Sequence, residues 1–299
     1  MPRTLIVEKK NHFNSKPQEK YLTIQEIIKK LKNIVEETRV ENPNLAYFAI
    51  LYLYVTIQVS KEIDKETFEN NTRMKRLDVI FALRYIDAYE KWQKNEKISE
   101  SWKVAFDFGK KKNSMIMQHL LLGMNAHINY DLGIATVEAT SLEDDYSKST
   151  RAYENFNSII KDFTTINEVL KKLTKTVESS LAHNSYFFKL ILKYGKNKED
   201  ALANFSVELA RTGAWYFAST YRKYYDSTLP KDIEEKEKIL MERDEKIRDL
   251  GKNIAEPDSK LINLFLTIGA ITEVRSTKNF IETLIIELDD FVDVEYHAI

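Results

Sequence analysis

Glycine and proline are almost missing from this chain, at 7 and 5 of 299 residues. Average usage would be about 7% and 5%. Tight turns and sheet-rich folds draw on both residues, whereas helix interiors are weakened by them. The chain is thereby confined to long helices joined by few sharp turns. Hydrophobic residues make up 43% of it, enough for a sizeable core. The expected fold is all-α, a single multi-helix bundle of roughly nine to eleven helices.

Residues 1–20 show no periodicity and read as an N-terminal arm, leaving 21–299 as one helical domain. Thr23-Ile24-Gln25-Glu26 matches a capping box, and apolar residues at helical spacing follow to about Thr38. Asn42-Pro43 restarts the chain with proline at a first helical position. Leu45 to Val59 is apolar almost all round and reads as a buried central helix, with a strand as the competing assignment. One or two helices are expected over Lys65–Lys94, a short one after Ser99, and a long one over Ser114–Thr136. Further helices are expected at about 149–177, 184–194 and 198–225. Residues 231–252 are heavily charged, with Ile233, Leu240 and Ile247 seven apart. That narrow stripe suits a peripheral helix, or a helical arm or homodimer contact.

Composition excludes several function classes. No cysteine is present, so disulfides, thiolate metal sites, iron–sulfur clusters and cysteine nucleophiles are ruled out. The 45 basic and 46 acidic residues leave a net charge of −1, and no basic surplus to attract nucleic acid. The N-terminal residues carry no signal-peptide pattern, and no apolar run reaches the ~20 residues of a membrane span, so a cytoplasmic location is expected. Glycine-rich phosphate loops, a Gly-x-Ser-x-Gly elbow and a His-Glu-x-x-His motif are all lacking.

Chemistry concentrates in the apolar run Gln118–Gly133, which holds two of the five histidines. On an α-helix His127 and Asp131 share one face, roughly 40° apart and ~6 Å along the axis. That spacing suits one divalent metal ion such as zinc, and equally suits a buried hydrogen-bonded pair. His119 lies ~12 Å away along the axis and reads as a core residue. Asn125 and Asn129 form a second pair four apart, on the side roughly opposite His127. Two poor helix formers there point to a satisfied polar network. Arg84, Glu208 and Arg211 interrupt apolar runs elsewhere in the chain. Burying such charges is costly unless they are paired or used. Arg84 and Arg211, with the two asparagines, are candidate ligand-binding residues, and Glu208 is a candidate third metal ligand.

The segment Gly123-Met124-Asn125-Ala126-His127-Ile128-Asn129-Tyr130-Asp131-Leu132 resembles the hallmark of an uncharacterised bacterial all-helical family, a domain of unknown function. Phe81–Asp87 and Ala210-Arg211…Trp215 fit the same family. The resemblance implies a helical fold over most of the chain and no established activity. His127-x-x-x-Asp131 is also similar to the zinc-binding pair of zinc-dependent phospholipase C and the single-strand nucleases of that fold. Gly133–Thr136 lacks the proline and histidine that follow in that group, so only the His–Asp pair carries over.

Two functions follow as expectations. One is a ligand-binding or interaction protein with a buried His127–Asp131 polar site, taking a small molecule. The other is a divalent-metal hydrolase acting on an ester or phosphoester, with His127 and Asp131 at its catalytic centre. A metal-free variant has Asp131 orienting His127 as a general base.

Overall fold

The computed structural model describes residues 22–141, 158–168, 170, 175–177, 207–274 and 277–293. The expected N-terminal arm lies outside these residues, as do the helix expected at 184–194 and the stretches 149–157 and 198–206 of the helices expected around them. Among the described residues every regular element is helical. In chain order they are α1 (Ile24–Glu41), α2 (Pro43–Asp64), α3 (Asn71–Gln93), α4 (Glu100–Phe108) and α5 (Ile116–Met124). A π-helical segment (Asn125–Asp131) follows, then α6 (Leu132–Ser141), α7 (Val207–Tyr225), α8 (Pro230–Ala255), α9 (Lys260–Val274) and α10 (Thr277–Val292). The all-α expectation holds. No described helix is long and apolar enough to cross a membrane.

Local chemistry explains where the helices begin. The Thr23 hydroxyl accepts from Glu26 N–H while the Glu26 carboxylate accepts from Thr23 N–H, completing the expected capping box. Pro43 occupies the first turn of α2. Asn70 and Ser99 cap α3 and α4 with side-chain oxygens.

Helix α2 is the axis of the core. Ala46, Ala49, Ile50, Leu53 and Tyr54 have essentially no exposed surface. Helix α1 packs along it, and α3, α5 and α10 surround it. From α10, Phe280, Ile281, Leu284 and Leu288 are buried in the same core as α2. Tyr54 donates to the Asp289 carboxylate at 2.5 Å, and Lys61 donates to the carbonyls of Val292 and Asp293. The helical stretch at 158–168 is tied to α3 by a fully buried ion pair, Arg73–Asp162, at 2.7 Å.

The charged helix α8 lies against α4 and the π segment. Of its seven-residue stripe, Ile247 is buried and Leu240 partly buried, while Ile233 is 38% exposed. Its polar residues also face inward: Asp244 accepts from the N–H groups of Glu100 and Ser101 at 2.7 and 2.9 Å, capping α4.

Candidate functional site

The sequence predicts one continuous α-helix over Ser114–Thr136. The structure corrects this: α5 gives way to a π turn at Asn125, and α-helical bonding resumes at Leu132. The N–H of Leu132 reaches back five residues to the His127 carbonyl. A π turn accommodates one extra residue, so side chains beyond it are turned by about 100° from the face an unbroken α-helix would give them. His127 and Asp131 both lie in this segment.

The closeness of the neighbours is set by small residues on either side. A Cβ on Gly123 would sit 2.2 Å from the Phe48 ring, so α5 and α2 approach at a distance only glycine allows. Across α6, a Cβ on Gly133 would meet the Phe217 ring at 2.6 Å. The carbonyl of Asn129 accepts two bonds from Arg243 of α8, at 2.9 and 2.7 Å. Interrupted helical bonding exposes carbonyls, and a buried carbonyl needs a donor.

Asp131 is the electrostatic centre. Its Oδ1 accepts from Arg84 Nε at 2.8 Å, and its Oδ2 accepts from Trp102 Nε1 at 2.7 Å. Burial alone would raise its pKa. Arg84, together with the His127 and Trp102 donors, more than offsets burial and holds it below the usual carboxylate value. Asp131 is therefore charged at neutral pH.

The Nδ1 of His127 faces Asp131 Oδ2 at 3.4 Å. Burial lowers the His127 pKa despite the opposing pull of Asp131, so the ring is neutral. A neutral ring beside a carboxylate carries its proton on Nδ1, leaving Nε2 as a bare acceptor. The imidazole is clamped by aromatic rings: Phe81 stacks on it at 3.6 Å between centroids, and Tyr52 meets it edge-on at 4.3 Å.

Two hollows flank this pair. On one side an apolar cavity of about 80 Å³ is lined by His127, Tyr52, Asp78, Phe81, Arg211 and aliphatic side chains. That is several times the space one water requires. On the other side a cleft of about 580 Å³ is lined by both charged and apolar side chains, among them Arg84, Lys91, Trp102, Tyr130, Asp131 and Asp244. Asp131 borders the cleft and His127 borders the cavity, so the imidazole stands between the carboxylate and the apolar space.

Three residues of the cavity wall carry buried polar atoms without a hydrogen-bond partner: His127 Nε2, Asp78 Oδ2 and Tyr52 Oη. Burial pushes the Asp78 carboxyl up to about 8, so it is protonated at neutral pH. Burial also raises the Tyr52 phenol well above its usual value, with Asp78 as the next contribution.

The structure places the sequence candidates in different surroundings. His127, Asp131 and Arg84 come together, and Arg211 lies on the cavity wall. Arg211 donates to Asn167 Oδ1 and the Phe163 carbonyl and lies over the Phe163 ring. Burial lowers its pKa to about 10. Asn125 and Asn129 do not line the cavity: Asn129 donates to Asn125 Oδ1, and Asn125 donates to the Ile247 carbonyl of α8. The Glu208 side chain lies outside the described residues. His119 is buried apart from the pair, 2.7 Å from the Ser114 hydroxyl, and burial lowers its pKa to about 3.

Two members escaped the sequence reading. Asp78 interrupts the apolar run Leu77-Asp78-Val79-Ile80, the same signal that singled out Arg84. Trp102 lies in the short helix after Ser99, where an indole reads as packing and its N–H gives no signal in the sequence.

Among the described residues no group of three or more His, Asp or Glu is placed to hold a metal ion. The donor set also fits a cation poorly. Both oxygens of Asp131 are engaged, one of them by a guanidinium, and the His127 nitrogen facing them carries a proton.

No curated protein and no solved structure matches this chain. A family profile does match, over residues 24–257, and spans α1 through α8 with every residue of the cavity wall and the Asp131 cluster. On that match the chain belongs to the family of unknown function DUF5995.

Proposed function

We propose that this protein binds a small, mostly apolar molecule in the cavity between α2, α3, α7 and the π segment. One observation carries the reading: an apolar cavity whose wall holds His127 Nε2 and Asp78 Oδ2, both buried and both unpartnered. Such atoms cost stability when unpaired, typically about 1–3 kcal/mol each. Apolar pockets with a few polar groups are the usual form of a small-molecule site. The ion pair behind His127 fixes its ring and tautomer, as a recognition group requires.

The runner-up is a divalent-metal hydrolase using His127, Asp131 and Glu208. The saturated carboxylate of Asp131 speaks against it, because binding a cation there requires displacing Arg84 or Trp102.

Toluene serves as an apolar probe. It is expected to raise the unfolding temperature of the wild type in a saturable manner, by mass action on the folded state. Val55→Phe, which fills the cavity, is expected to abolish the shift. Failure of toluene to stabilise the wild type at any concentration would count against the reading.

A further inference from the structure

The polar atoms in the cavity wall restrict what its occupant can be. His127 Nε2 accepts and cannot donate, because Asp131 holds the proton on Nδ1. The Asp78 carboxyl and the Tyr52 phenol both have protons to give, and both are more than nine-tenths buried. Tyr52 adjoins both of the others: its ring touches the His127 ring, and its phenol is within electrostatic reach of Asp78. A complementary ligand group must therefore donate to one neighbour and accept from another.

Several chemistries fail this requirement. A ketone or an ether has no proton for Nε2. A carboxylate has none either, and would enter a space backed by the charge of Asp131. Arg211 does not reverse that argument, since its bonds already run to Asn167 and the Phe163 carbonyl. A cation would be desolvated in an apolar cavity beside Arg211. A hydroxyl meets the requirement, with one proton to donate and lone pairs to accept.

We infer that the ligand is a small neutral alcohol or phenol, its hydroxyl donating to His127 Nε2 and accepting from the Asp78 carboxyl or the Tyr52 phenol, its apolar body filling the cavity. This rests on the cavity being a ligand site at all. The Asp131–His127 pair then acts as a positioning device for the acceptor nitrogen.

The test compares phenol with toluene, which differ by a hydroxyl in place of a methyl group, by calorimetric titration at pH 6.5. Wild type is expected to bind phenol about tenfold or more tighter than toluene. His127→Phe and Asp78→Leu should each reduce that preference while retaining toluene binding. Asp78→Leu removes an unpartnered polar group, so it guards against a folding failure in the histidine variant. Equal affinities in wild type would overturn the hydroxyl assignment and leave the apolar site standing. A preference that persists undiminished in both variants would overturn the roles given to His127 and Asp78. Binding of neither probe would remove the site itself, and the inference with it.

Discussion

Asp131 and Asp78 are two buried carboxyls with opposite electrical fates. Asp131 has an arginine, an indole and an imidazole around it and stays ionised, whereas Asp78 has no hydrogen bond to Oδ2 and keeps its proton up to about 8. The pH consequences follow in opposite directions. A raised folded-state pKa makes the Asp78 contribution fullest below its unfolded value, about 3.9. That contribution is lost as the pH climbs through about 8. The lowered pKa values of Asp131, His127 and His119 act the other way. The two histidines lose stability as the pH falls below about 6.5, and Asp131 as it falls below about 3.9. Asp78→Leu is therefore expected to stabilise the protein at pH 8 by about 1–3 kcal/mol. The gain should be smaller at pH 5. Urea unfolding at the two pH values checks this, and an equal effect at both would show that Asp78 ionises without penalty.

At the scale of the element, the π segment joins the cavity to the cleft. Deleting Ile128 removes the extra residue and allows an unbroken α-helix from α5 into α6. Helix content by circular dichroism should then be nearly unchanged. The extra residue and the π turn cancel, so Asp131 and α6 should keep their orientation relative to α5, with Asp131 still on Arg84 and Trp102. Arg84→Met, by contrast, leaves the Asp131 charge buried without its ion-pair partner and costs about 3–5 kcal/mol. A deletion variant destabilised as much as Arg84→Met would show that the π turn itself holds Asp131 in place. Spacing rules could not have found this turn, because they presuppose 3.6 residues per turn and π bonding leaves no sequence mark of that kind. The same rules served well where side chains act locally, as with the Thr23–Glu26 box and the proline opening α2. Arg84 and Arg211 were legible as charges within apolar runs, and Asp78 carried that signal unread. The inward role of α8 was hidden because it works through Arg243 and Asp244, which in sequence look like ordinary solvated charges.

On the scale of the whole molecule, the apolar core is shared between helices far apart in the chain. The family match ends at residue 257, and all the site residues precede that point. Yet α10, with Phe280, Leu284 and Leu288 fully buried, belongs to the same core as α2. Helix α2 also supplies Phe48, Tyr52 and Val55 to the cavity wall. The boundary of the family match and the boundary of the apolar core are therefore different lines on this chain. A fragment ending at residue 257 keeps every side chain that would touch a ligand, but uncovers several large apolar groups at about 1.5–3 kcal/mol each. It is expected to melt far below the full chain and to expose surface that binds a hydrophobic dye. Equal melting temperatures would show that α2 holds its place without α10. Dissection guided by family limits alone would discard the helix that keeps the opposite side of the cavity's own wall dry.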